Sequence, residues 1–279
     1  MSPLDPPLAA VREVVARALA EDLGPLGDLT AALVPTDATA VADLVPRAPG
    51  VLAGRLGAIE AFAQVDSSLA VRWHAHDGDS VAAGVPVGEV AGALPSILTA
   101  ERTALNLLGH LSGIATLTRR YVDRAAPARI RDTRKTTPGL RALEKAAVRA
   151  GGGVNHRGSL SDGVLVKDNH LAGLSVSEAV LLARRLWPGR AVQVECDTAE
   201  QVKEAVVVGA DLVLLDNMTP EQVAGCVEAV GGRCLLEVSG GVTLETVSAY
   251  AAAGADLISV GAITHSAPVL DIGLDVRPG

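Results

Sequence analysis

Residues 191–216 read A-V-Q-V-E-C-D-T-A-E-Q-V-K-E-A-V-V-V-G-A-D-L-V-L-L-D. Two apolar runs, 191–194 and 211–215, enclose a helix-like stretch closed by Gly209, and each run leads into an acid, Glu195 or Asp216. The pattern recurs at C-L-L-E-V (234–238) and L-I-S-V (257–260), so the four runs follow one another at the roughly twenty-residue period of a βα unit. A-R-I-R (128–131) and G-V-L-V (163–166) add two strand candidates upstream. Six such strands predict a parallel α/β barrel. Since a closed barrel has about eight, this one is expected to be incomplete or irregular.

In a parallel barrel the carboxyl ends of the strands share one face, where catalytic groups gather. Here those ends carry Asp132 and Arg134, Lys167 and Asp168, Glu195, Asp216, Ser239 and Gly261. Glu195 and Asp216 read as equivalent positions on successive strands, so their carboxylates are expected to converge. They suit either acid/base work or a divalent cation that already carries phosphate oxygens. Ser239-Gly240-Gly241, and Gly261 one unit later, offer backbone N–H groups without a side chain in the way. Turns of that kind leading into helices bind phosphate.

The net charge is −8, yet residues 129–170 hold nine Lys or Arg against four Asp or Glu. Such a cluster in an acidic chain points to an anion held at close quarters. Of the four lysines, the first is Lys135, and Lys135 and Lys167 stand where a guanidinium will not serve; Lys145 and Lys203 read as solvated. Thr137-Pro138 reads as the N-cap and first residue of a helix that Gly151-Gly152-Gly153 ends. That helix is expected to return the chain so that Arg134 and Lys135 face Asn155, His156 and Arg157 across one pocket, a setting for a planar dicarboxylate.

Ahead of the barrel, Asp5-Pro6-Pro7 reads as a helix start with Asp5 as N-cap, and Gly24-Pro25 as its stop. The acids of the loop from Glu21 to Thr30 read as turn and capping groups. Strands are expected at 39–46 and 50–54, small β-structure at 71–92, and a long helix at 96–124 carrying Arg102 as a rim residue. His74 and His76 alternate onto one strand face but lack a third metal ligand nearby.

Composition excludes several classes. Aromatics make up 2 % of the chain, so stacking platforms for nucleic-acid bases are nearly absent, and the basic cluster is compact rather than extended. Cys196, Cys226 and Cys234 are too scattered for a disulfide framework or a zinc site. Arg12, Glu13 and Arg17 interrupt the first apolar segment, and the run Thr103–Thr118 is too short to span a bilayer. A cytoplasmic protein without nucleic-acid or membrane partners is expected.

Taken together, E-D-L-G with G-D-L-T, A-E-R-T-A-L-N, D-T-R-K-T-T-P, G-G-G-V-N-H-R, K-D-N-H, L-L-D-N-M, S-G-G-V and S-V-G-A-I-T-H-S with L-D-I-G-L-D run nearly end to end. In that order they resemble the quinolinate phosphoribosyltransferases. The resemblance implies an α/β chain with an N-terminal α/β sandwich domain (1–110, rejoined by 266–279) and an open, incomplete parallel α/β barrel of the type II phosphoribosyltransferase kind (111–265). It implies a homodimer, or a higher oligomer built from it, whose sites are shared between subunits. Arg102 would reach the quinolinate of the neighbouring subunit, while Arg134, Lys135, His156, Arg157 and Lys167 would line the quinolinate pocket. Glu195 and Asp216 would serve Mg2+, partly through water, and the ribose of phosphoribosyl pyrophosphate; Ser239, Gly240, Gly241 and Gly261 would take its phosphate. Lys135, Lys167, Glu195 and Asp216 would be the catalytic set. Two departures, Gln193 and Val238, are expected to touch no ligand. Rival readings are a Schiff-base aldolase using Lys135 or Lys167, a relative with another acceptor, and a phosphosugar-binding regulator.

Overall fold

The computed structural model describes residues 3–171 and 173–278; residues 1, 2 and 279 of the expected domain ranges, and Ala172, lie outside them. The chain divides into two compact units. The first runs to Arg119 and takes in Thr136–Gly152 and the chain from Ile263 on; the second comprises Arg120–Lys135 and Gly153–Ala262.

In chain order the first unit opens with α1 (Leu8–Leu23), β1 (Thr39–Pro46), β2 (Gly50–Val51), α2 (Arg55–Val65), β3 (Ala70–Trp73), β4 (Ser80–Val81), β5 (Gly88–Ala93) and most of α3 (Leu94–Ala125). Asp5 does not cap α1. Pro7 occupies that position in extended geometry with no side-chain cap, because two successive prolines hold the chain out of the helical region until Leu8. Glu21 and Asp22 belong to the last turn of α1 rather than to the loop beyond it. Asp28 is a turn group, as expected: it accepts the amides of Thr30 and Ala31 and the Thr99 hydroxyl. The strand expected at 50–54 is only two residues long, and His74 and His76 follow β3 instead of lying on it. Fully buried Val15, Leu44, Leu52 and Phe62 fill the core under these elements, each contributing about 1.5–3 kcal/mol.

The second unit begins with β6 (Arg129–Arg131). After it, α4 (Arg141–Ala150) groups with the first unit and packs on α1. Thr137-Pro138 does not start α4. Pro138 and Gly139 form a turn instead, closed by the Leu140 amide on the Thr137 carbonyl, with Gly139 at φ 83. That positive φ cannot be helical, so α4 starts after it. Lys145 is not solvated: it is 6 % exposed, beside the fully buried Glu144, whose carboxylate meets His110 Nε2 at 2.9 Å.

The remaining elements are β7 (Val164–Val166), α5 (Asp168–Leu171), α6 (Val176–Leu186), β8 (Val192–Cys196), α7 (Ala199–Val207), β9 (Leu212–Asp216), α8 (Pro220–Val230), β10 (Leu235–Ser239), α9 (Val247–Ala252), β11 (Leu257–Ser259), α10 (Ala262–His265) and β12 (Ile272–Pro278). β12 belongs to the first unit, where an antiparallel sheet runs β12-β1-β5-β3 and β2 pairs with β4. Ser175, Thr198 and Thr219 cap α6, α7 and α8 with reciprocal capping boxes.

The six strands expected for the barrel all form, in one parallel sheet of order β6-β11-β10-β9-β8-β7. The first strand in sequence meets the last, and the sheet stays open between β6 and β7. Side chains alternate between its faces. Val192, Val194, Val213, Leu215, Leu236, Val238 and Ile258 are buried on one, while the other carries Gln193, Glu195, Glu237 and Ser259. On that polar face Glu237 Oε2 receives Arg131 Nη1 at 2.6 Å and Gln193 Nε2 at 2.7 Å. Arg131 and Gln193 each stand two strands from Glu237, some 9–10 Å on a flat sheet, so the face must be concave. The sheet is thus rolled into an open barrel whose interior sets these polar groups beside Leu165, Leu212, Leu214 and Leu257.

Candidate active site

The second unit gathers most of the expected residues at the carboxyl ends of its strands. Lys167, just past β7, forms an ion pair with Glu195 on β8. Glu195 pairs in register with Leu214, so Asp216 lies two residues further along β9 than the equivalent position expected for it. The two-residue step keeps both acids on the same face of the pleat. Burial pushes the Asp216 carboxyl above its ordinary value, while the charges of Lys167 and Lys135 pull the other way. Both lysines therefore act on this carboxylate. Lys135 is exposed and Lys167 is ion-paired, whereas a Schiff-base lysine needs desolvation without a counter-charge.

Arg134 and Arg157 come close enough that the charge of Arg134, after burial itself, lowers the pKa of Arg157. Neither forms an ion pair with an acid among the described residues. Arg157 donates Nη1 to the Gly163 carbonyl at 3.0 Å, and its buried Nε has no partner among the described residues. Two neighbouring guanidiniums without a carboxylate are poised for an external anion.

What joins the two cationic segments is Asp132, fully buried at the end of β6. It accepts the Asn155 side-chain amide at 2.6 Å and the His156 backbone amide at 2.7 Å. His156 Nδ1 in turn accepts the Arg157 amide at 2.7 Å. A cavity of about 270 Å3 is lined by Arg131, Asn155, His156 and Arg157 together with Gln193. Gln193, expected to touch nothing relevant, thus shares a wall with two proposed ligand groups.

Ser239 ends β10, and its carbonyl accepts the Asn217 amide at 2.9 Å. Gly240 has φ 97, and a Cβ there would fall 2.2 Å from Asn217 Oδ1; Gly241 has φ 60 and faces open space. Five residues separate Gly241 from α9, so this turn does not run straight into a helix as expected. Gly261 does stand directly before the short α10. Arg102 is an exposed residue of α3, as expected of a rim position; it lines a cavity of about 230 Å3 in the first unit with Glu21, Asp22, Asn106 and His110.

Sequence reasoning passed over Glu237 and Asn217. Glu237 read as part of an apolar run, although an acid inside C-L-L-E-V was itself a signal. Asn217, at φ 54, is the one non-glycine residue with positive φ among those described, and it donates its side-chain amide to Asp216 at 2.6 Å. Of the three cysteines, Cys196 is fully buried, and burial pushes its thiol up to about 12.

Known proteins match this arrangement along nearly all of the chain. Residues 28–112 and 114–275 match the families described as quinolinate phosphoribosyl transferase, N-terminal domain and C-terminal domain. A protein of Mycobacterium leprae named nicotinate-nucleotide pyrophosphorylase [carboxylating] is 45 % identical, over 96 % of this chain and 97 % of its own. Quinolinate phosphoribosyltransferase [decarboxylating] 2b of Nicotiana tabacum is 41 % identical, over 97 % of this chain and 83 % of its own. The solved structure of the nicotinate-nucleotide pyrophosphorylase from Francisella tularensis superposes with a TM-score of 0.94 at 37 % identity, covering 98 % of each chain. The order of strands, the paired cationic segments and these matches in both units lead to one assignment: the chain belongs to the quinolinate phosphoribosyl transferase family.

Proposed function

We propose that the chain transfers the phosphoribosyl group of phosphoribosyl pyrophosphate to quinolinate, giving nicotinate mononucleotide, pyrophosphate and CO2 on the route to NAD. The observation that carries the reading is the Arg134–Arg157 neighbourhood, two guanidiniums without an acidic partner among the described residues, in the same unit as the Lys167–Glu195–Asp216 group. A small dianion suits the first and a polyphosphorylated sugar the second.

Arg134, His156 and Arg157 hold the two carboxylates of quinolinate, and Lys135 and Lys167 line the same pocket. The ring nitrogen attacks the ribosyl carbon as pyrophosphate leaves, and Glu195 and Asp216 face the positive charge that develops on the sugar. Ser239, Gly240, Gly241 and Gly261 offer backbone donors to the 5′-phosphate. The quaternised ring then accepts the electron pair released as the adjacent carboxylate departs as CO2, and that carbon takes up a proton. Lys135 and Lys167 favour the developing negative charge more than the starting carboxylate only if they do not clamp the latter.

Glu195 and Asp216 fit a magnesium ion that arrives with the diphosphate. No group of three or more potential ligands occurs among the described residues, and two carboxylates plus substrate oxygens and water are what magnesium ordinarily accepts. When bound, the ion neutralises the leaving diphosphate. Arg102 completes the quinolinate site from the partner subunit of a homodimer. No described helix is long and apolar enough to cross a membrane, and the proposed setting is the cytoplasm. Incubation with quinolinate, phosphoribosyl pyrophosphate and magnesium, omitting each in turn, tests the reading. Nicotinate mononucleotide should form only in the complete mixture, and its absence there would defeat the proposal.

A further inference from the structure

We infer that Glu237 is a positioning residue of this site, a buried carboxylate that sets the His156 ring and the Asn155–Arg157 segment from behind without meeting the substrate. The inference rests on the proposed role of His156 and Arg157 as quinolinate ligands.

Glu237 has no exposed surface, yet it collects donors from three strands: Arg131 from β6, Gln193 from β8 and the Ser259 hydroxyl from β11. Burying a carboxylate is costly unless the surroundings satisfy it, and here they do so completely enough to keep it central. Two links run from it toward the ligand groups. Arg131 uses Nη1 for Glu237 and Nε for the Asn155 carbonyl at 3.3 Å, so the carboxylate fixes the guanidinium that fixes Asn155.

The second link is the His156 ring. An amide N–H can only donate, so the 2.7 Å contact from the Arg157 amide requires a lone pair on Nδ1 and leaves the proton of the neutral ring on Nε2. Nε2 lies 3.8 Å from Glu237 Oε1, and a negative group on that side favours the same tautomer and ring orientation. Glu237 does not line the cavity that Arg131, His156, Arg157 and Gln193 share, so its influence is exerted through them.

The test is Glu237→Gln in the full-length protein, read by steady-state kinetics and by 15N NMR of the His156 ring. The variant should raise KM for quinolinate roughly ten- to a hundredfold, leave KM for phosphoribosyl pyrophosphate nearly unchanged, and lose the single Nε2–H signature. A folded variant with wild-type KM for quinolinate and an unchanged ring signature overturns the inference. So does an equal rise in both KM values with that signature intact. Should Glu237→Gln fail to fold by circular dichroism, Ser259→Ala, which removes one donor, decides in its place. It should move KM for quinolinate and the ring signature in the same direction by less, and no movement in either overturns the inference. A wild-type protein that forms no product defeats the functional reading, and the ring signature then tests the positioning alone.

Discussion

Asp132 accepts the backbone amide of His156 at 2.7 Å from a side chain with no exposed surface. Its other oxygen takes the Asn155 side chain, so one carboxylate secures two consecutive residues of the anion-binding segment. Asp132→Ala should destabilise the protein by about 1–3 kcal/mol for each donor left without a partner. Urea denaturation followed by circular dichroism reads the change, and a wild-type midpoint would contradict this account of the segment.

Arg157→Ala and Lys135→Ala should each lower turnover at least about a hundredfold. Lys135 is exposed, so its variant should keep the wild-type melting temperature. Pyrophosphate release measured beside thermal melting separates the two effects, and near wild-type release by either variant would remove that residue from the site.

The shared-site reading predicts complementation. Arg102→Ala and Lys167→Ala protomers, each inactive alone, should regain part of the activity when mixed, because a heterodimer holds one intact site. Subunit exchange verified by native mass spectrometry without any recovered activity would count against a contribution from the partner subunit.

Asp216 supplies a pH prediction whose sign follows from burial. Its folded-state pKa is raised above the ordinary 3.8, so between that value and the raised one the folded protein holds more protons than the unfolded chain. This group's contribution to stability therefore falls as pH climbs through the window and stays low at neutrality. Asp216→Asn removes the charge and should melt higher than wild type at pH 7 while losing most activity. The gain should shrink as pH is lowered toward 3.8, and a lower melting temperature at pH 7 would refute the assignment.

Gly240 and Gly241 are adjacent, both have positive φ, and they should respond differently. An alanine at 241 meets open space and costs about 1–2 kcal/mol for its left-handed backbone. At 240 the same methyl would collide with the Asn217 side chain and press on its backbone nitrogen at 3.0 Å, so both the side chain and the end of β9 must shift. Gly240→Ala should lower the melting temperature clearly more than Gly241→Ala; equal shifts would show that the collision is relieved without cost.

The barrel was legible because every strand repeats one simple signal, an apolar run followed by a polar residue at a fixed period. The Lys167–Glu195 pair could be expected on the same grounds, since strand ends in a parallel sheet share a face. Its register with Asp216 could not, because a two-residue offset leaves the apolar pattern unchanged. The start of α4 is not legible because Thr137-Pro138 satisfies a helix-start rule locally. Gly139 in the next position makes the same residues a better turn. Asp5 failed for a related reason, since the prolines that mark a helix start also delay it. The burial of Lys145 is not legible because a lysine in a helix carries no mark of which face it occupies. Glu237 shows the limit most clearly: its importance comes from strands two places away on either side, and no local pattern reports who stands across a rolled sheet.

The antiparallel sheet of the first unit carries a consequence for synthesis. β1 is flanked on one side by β12, and Arg47 and Asp275, whose side chains pair beside that ladder, are 228 positions apart in the chain. The first unit is therefore begun before the second and completed after it, since one side of β1 stays bare while the whole parallel sheet is being made. A chain released before residue 272 should have every strand of its second unit while β1 of its first still shows an unpaired, aggregation-prone edge. That is the interval in which a chaperone has the most to protect.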